Sequence, residues 1–222
     1  MQPPFSCTES TFCAIEQTLS PARLQRYMPA AGGNKHFALR LYVWNARLCE
    51  AFYLPTQLAE VSIRNVVHAA ITDQYQDTWH RRGSFLCTLP DRLKTELNKV
   101  IADERAIHGL LLTNDHIVSG LSFGFWAHMF TANFEGILWP KYFPLCFPNK
   151  PTGLDRYELY GWIESLRAMR NRIAHHKPVF DKNPTAEYQN IIQLVSWICP
   201  DTAWFLKTTS HVSSIINARP RI

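Results

Sequence analysis

Apolar residues recur at helical spacing along most of the chain, and no stretch alternates apolar with polar side chains as a half-buried strand would. Ser20-Pro21 reads as an N-cap followed by proline, opening a short helix through Met28. Phe37, Leu41, Trp44, Leu48 and Phe52 mark one face of a second helix, capped by Asn34. Pro55, which lacks the amide hydrogen a helix needs, is expected to end it. A third helix is expected from Thr56 to Gln74. Its Leu58, Val61, Ile63, Val66, Val67 and Ile71 leave apolar groups on nearly every side, which suits a central, buried position. Pro90-Asp91 opens a surface helix with Leu93, Leu97 and Val100 on its one apolar face. Thr113 or Asn114 caps a fifth, in which Ile117, Leu121, Phe125 and Met129 fall a turn apart, as in one continuous helix. Residues 155–174 and 185–198 form the sixth and seventh, and an eighth begins after Pro200 and fades near Arg219.

The remaining segments read as connections. Residues 75–89 and the aromatic, proline-marked stretch 139–151 link helices. Residues 1–18 read as an N-terminal arm, because Pro3-Pro4 and scattered Ser and Thr oppose early regular structure. No repeat or shift in composition divides residues 19–222, so the pattern predicts a single all-α domain, a bundle of about eight helices.

Composition narrows the class. The 222 residues are 46% hydrophobic and 18% charged, which supports a sizeable core and excludes a disordered chain. The net charge of +5 suits an anionic partner without requiring one. Six cysteines stand at positions 7, 13, 49, 87, 146 and 199, none in a Cys-x-x-Cys pair, so buried thiols are expected at Cys49 and Cys199. No apolar run reaches membrane length, and the first twenty residues lack the basic start and apolar block of a secretory leader. The expected compartment is the cytoplasm.

Chemistry concentrates in Arg170-Asn171-Arg172-Ile173-Ala174-His175-His176-Lys177-Pro178. Leu159, Ile163, Leu166 and Ile173 define an apolar stripe, and at 100° per residue Arg170 falls within it. A guanidinium aimed into such a face needs a buried acid or a polar seam. Asn171 and His175 share a different face, with His175 about 140° from Arg170. Two copies of the helix meeting at a seam bring both groups together; one copy does so only if the helix unwinds near Ala174. The residue types suit phosphodiester cleavage. His transfers protons near neutrality, Arg matches phosphate with a bidentate fork, and Asn orients either. RNA supplies its own nucleophile in the 2′-hydroxyl, so neither metal nor other cofactor is expected.

The segment Arg170-Asn171-x3-His175 resembles the Arg-Asn-x-x-x-His signature of the HEPN superfamily, and its flank through Phe180 resembles the Abi-like (abortive infection) family within it. Trp44-Asn45 with Leu58-Ala59-Glu60-Val61-Ser62-Ile63-Arg64-Asn65 is similar to that family's second block. Leu121-Ser122-Phe123-Gly124-Phe125-Trp126, followed by Leu138-Trp139, is similar to its third. The resemblance implies a HEPN-type helical bundle and dimerisation that brings two motifs together. It also implies metal-independent endoribonuclease activity in phage defence or as a toxin, with an antitoxin or regulatory partner. Arg170, Asn171 and His175 would be the catalytic residues; the alternative is a HEPN-fold module that binds RNA or protein without cutting.

Around this motif, Arg172 and Lys177 are expected to contact RNA or simply to be solvated. His176 either assists His175 or faces solvent. Glu60, Arg64 and His68, four residues apart, form either an internal ion pair with a satisfied histidine or the back wall that holds Arg170 or His175. Gly120-Leu121-Ser122-Phe123-Gly124 matches Gly-x-Ser-x-Gly, but the nucleophile elbow needs a preceding strand, and the helical spacing here argues against one; the glycines are expected to allow close packing. The aromatics around Phe123 and Trp139 suit a core or dimer interface better than base stacking.

Overall fold

The computed structural model describes residues 7–221. It is all-α: among those residues there are twelve α-helices, eight of them seven residues or longer, and no strand. In chain order they are α1 (Glu9–Leu19), α2 (Pro21–Leu24), α3 (Lys35–Tyr75), α4 (Gly83–Leu86), α5 (Asp91–His108) and α6 (Asn114–Gly120). They continue as α7 (Phe123–His128), α8 (Trp139–Cys146), α9 (Arg156–Ala174), α10 (Pro184–Ile198), α11 (Pro200–Thr209) and α12 (Val212–Asn217).

Helix α3 is the axis of the fold. It runs 41 residues, about 60 Å at 1.5 Å per residue. Leu41, Leu48, Phe52, Ala59, Ile63, Val67 and Ile71 along it are at most 1% exposed, and α7 to α12 all pack on it. The break expected at Pro55 does not occur. The missing amide leaves the Ala51 carbonyl without its helical partner, and the neighbouring Thr56 hydroxyl bonds elsewhere, donating to the carbonyls of Phe52 (2.9 Å) and Tyr53 (3.0 Å). Pro55 is itself buried. An internal proline costs about 3 kcal/mol, a cost that side-chain burial on both halves readily exceeds.

Other expectations need revision. The first six residues of the N-terminal arm lie outside the described residues, but Glu9–Leu19 is helical. Its cap is Thr8, whose hydroxyl accepts from the Thr11 amide, and its Phe12 is buried against Leu24 and Leu39. The stretch 139–151 contains α8 because Pro140 sits in the first turn, where no amide is needed, and Trp139, Tyr142 and Cys146 are buried at helical spacing. The continuous helix expected from Asn114 breaks at Leu121, since Ser122 adopts extended backbone and caps α7 by accepting from the Phe125 amide. The last predicted helix divides in two at Ser210–His211.

Gly120 does pack closely: a Cβ there would lie 2.7 Å from a Val100 methyl of α5, whereas one on Gly124 would meet only ordinary contact. Phe123, Phe125, Trp126, Trp139 and Tyr142 are all core residues. Of the cysteines, Cys146 is buried with its thiol pushed up to about 12 by desolvation, and partly buried Cys49 is raised to about 11 for the same reason. Cys199 is only partly covered, and hydrogen bonds from Thr202 lower it. No helix among the described residues is long and apolar enough to cross a membrane.

Candidate active site

Helix α9 carries the motif and begins with a reciprocal cap. The Asp155 carboxylate accepts from the Glu158 amide at 2.7 Å, and the Glu158 carboxylate accepts from the Asp155 amide at 3.2 Å. Leu159, Ile163, Leu166 and Met169 form its buried face. Met169 rather than Ile173 completes the stripe, which turns Arg170 to the edge of the apolar face. There Nε lies 3.3 Å from Glu60 Oε2 of α3, and Nη1 donates a long hydrogen bond (3.4 Å) to Asn171 Oδ1. The Arg170 side chain stays 44% exposed while Glu60 is 22% exposed, so the pair anchors the stem and leaves the guanidinium open to solvent.

The helix ends in a Schellman motif. The Lys177 amide donates to the Arg172 carbonyl (2.8 Å) and the His176 amide to the Ile173 carbonyl (3.0 Å). Glycine usually fills the left-handed position of this motif. Here His176 does, at φ 53°, with His175 as the C-cap just outside the helix.

Three side chains tie down the segment beyond. The Asn45 carboxamide oxygen, buried on α3, accepts from the amides of Val179 (2.9 Å) and Phe180 (3.2 Å). Arg172 donates twice to the Pro178 carbonyl, once at 3.1 Å through Nε, and lies 3.8 Å from Asp181. Arg23 of α2 donates to the His176 carbonyl at 3.0 Å. Arg172, one of two residues expected to contact RNA, thus has a task within the fold. Lys177 is exposed, as is His175.

Three clefts border the motif, and two of them hold the side chains expected to react. Arg170 and Asn171 line the first, of about 270 Å³, with Arg92, Ser122, His128 and Arg167. Each arginine here has a carboxylate within 4.0 Å: Arg92 with Glu96, Arg167 with Glu164, Arg170 with Glu60. His128 is held below the usual imidazole range by burial, and its Nε2 has no partner among the described residues. His175, His176 and Lys177 line the second cleft, of about 280 Å³, with Arg23 and Arg26. Within one chain, the guanidinium and the imidazole expected to act together therefore open onto different clefts. Both are reachable from solvent.

The α3 trio divides. Glu60 meets Arg170. Arg64 Nε is buried without a hydrogen-bond partner among the described residues. His68 Nε2 lies 3.2 Å from the Thr72 hydroxyl, packed edge-on against Trp79 and Trp126, and burial lowers its pKa. Among the described residues no group of three or more His, Cys, Asp and Glu side chains is placed to hold a metal ion.

Sequence reasoning passed over Asn45, Arg23, Arg26 and His128 as site residues. Asn45 was the most findable, since an amide inside the stripe of Leu41, Trp44 and Leu48 must have a partner. The chain matches no family model, and no curated protein or solved structure matches it significantly. Its resemblance to the Abi-like family therefore rests on the quoted motifs alone.

Proposed function

We propose that the protein is a metal-independent endoribonuclease that acts as a homodimer, in phage defence or as a toxin under the control of a regulatory partner. The observation that carries this reading is the pair of exposed functional groups at the end of α9, an arginine braced by Glu60 and a histidine on a pinned turn. In one chain they open onto separate clefts, so a site that uses both requires a second copy. In that site the 2′-hydroxyl of RNA attacks the adjacent phosphorus and expels the 5′-oxygen, leaving a 2′,3′-cyclic phosphate and a 5′-hydroxyl. His175 takes the hydroxyl proton, and an imidazolium returns one to the leaving oxygen. Arg170 offsets the charge that develops on the phosphoryl oxygens, and Asn171 positions it.

The test is cleavage of total RNA by the purified chain in chelator. Arg170→Ala and His175→Ala should each lose on the order of a hundredfold or more. Mixing the two variants should restore part of the activity, because in a mixed dimer one composite site keeps both groups. A strict magnesium requirement, or no recovery on mixing where mixed dimers form, refutes the mechanism.

A second reading, a non-catalytic RNA-binding or protein-interaction module, is favoured by the carboxylate already paired with Arg170. An RNA-binding module would leave RNA intact, with Arg170→Ala weakening binding only. A protein-interaction module would show no salt-dependent RNA affinity.

A further inference from the structure

The two clefts differ in how their charge is balanced. In the first, every lining arginine has a carboxylate within 4.0 Å. In the second, Arg23, Arg26 and Lys177 contribute three fixed positive charges, His175 and His176 add two imidazoles, and no carboxylate lines the space. Arg26 and Lys177 have no ion-pair partner among the described residues. Arg23 makes one hydrogen bond, to the His176 carbonyl, which sets its guanidinium against the turn.

The walls are preformed. The Schellman bonds, the Asn45 clamp and the Arg172 contacts hold the turn on one side. On the other, α2 packs its buried Leu24 against Phe12 and Leu39. Like charges gathered on two rigid walls repel one another, and an anion between them relieves that repulsion. A guanidinium fork and an ammonium together match tetrahedral oxyanions.

We propose that this cleft is a phosphate-binding subsite, with Arg23, Arg26 and Lys177 as its ligands. The proposal rests on the nuclease reading only for the source of the phosphate. If the strand reaches His175, the cleft takes a backbone phosphate beside the scissile linkage. A free phosphate or mononucleotide has the same chemistry.

The experiment uses the full chain and a 2′-O-methyl oligoribonucleotide, which binds but has no free hydroxyl to react. Affinity is followed by fluorescence anisotropy across salt concentrations, and inorganic phosphate is titrated separately by calorimetry. In the Arg26→Glu/Lys177→Glu double variant, oligonucleotide affinity should fall at least tenfold. Its salt slope should flatten by about 0.7, the loss of one phosphate contact on a single strand. The neutral pair Arg26→Gln/Lys177→Gln, at exposed positions, should show the same flattening if the charge-reversed protein does not fold.

Loss of phosphate binding with oligonucleotide binding unchanged supports the subsite and assigns it to a free anion. Unchanged affinity and slope for both ligands overturn it. The two proposals fail separately. A wild-type chain that leaves RNA intact but loses oligonucleotide binding in the double variant keeps the subsite without the nuclease. A nuclease whose double variant binds both ligands as before keeps the reverse.

Discussion

Removing the Asn45 carboxamide tests whether α3 holds the turn that carries His175. In Asn45→Ala the amides of Val179 and Phe180 lose their shared acceptor, and both residues are buried, so water does not readily replace it. An unsatisfied buried donor costs about 1–3 kcal/mol, and two donors losing one common acceptor relax together, so a total of about 3 kcal/mol is expected. For a chain of this size that corresponds to a fall in melting temperature of about 6–12 °C.

Asn45→Asp is the control. It keeps an acceptor for both amides, whose hydrogen bonds favour its charged form, and should recover most of the loss. Urea unfolding gives the free energies, and hydrogen exchange at Val179 and Phe180 reports the clamp directly. Those two amides should exchange much faster in Asn45→Ala, with helix α5 unaffected. A loss under about 1 kcal/mol, or unchanged protection at both amides, would refute the reasoning, because a single buried hydrogen bond is already worth about that much.

Other perturbations follow from the same contacts. Glu60→Gln removes the partner of an arginine that is nearly half exposed, so stability should fall by no more than about 1 kcal/mol, while the proposed RNA cleavage should fall at least fivefold as Arg170 loosens. A denaturation midpoint far below wild type would show that Glu60 is structural instead. His176→Gly relieves the left-handed backbone and should leave stability unchanged or raise it by about 0.5–1 kcal/mol, as read by urea midpoint; a clear loss would mean that the imidazole itself holds the turn. Burial lowers the folded pKa of His68, His80 and His128 below the unfolded value of about 6.5, so their neutral forms stabilise the fold above that pH and the contribution is lost as pH drops toward 5. Urea midpoints should decline between pH 7.5 and 5.5, and a flat profile would contradict this assignment.

Helical periodicity was the strongest signal in the chain. It located the two halves of α3, and α5, α9 and α10, because each buries apolar residues at helical spacing. It misled where local chemistry and packing disagreed. Pro55 was read as a terminus from its missing amide, but burial of Phe52, Ala59 and Ile63 on either side carries the helix through. Ser122 was read as mid-helix from the spacing of Leu121 and Phe125, but its hydroxyl caps a new helix. At the site, Arg170's need for an acid or a polar seam follows from an expected place within the apolar stripe; the structure sets it at the edge instead, and the acid is Glu60. The approach of Arg23 and Arg26 to the His175 turn was not legible, because no local pattern encodes a contact across 153 residues.

Asn45 and Glu60 stand on the same helix, fifteen residues or about 22 Å apart along its axis, and they grip opposite ends of the motif, the segment leaving the turn and the Arg170 stem. Pro55 lies between these two grips. The spacing of the two ends of the motif is thus referred to one continuous helix, which runs unbroken through that proline.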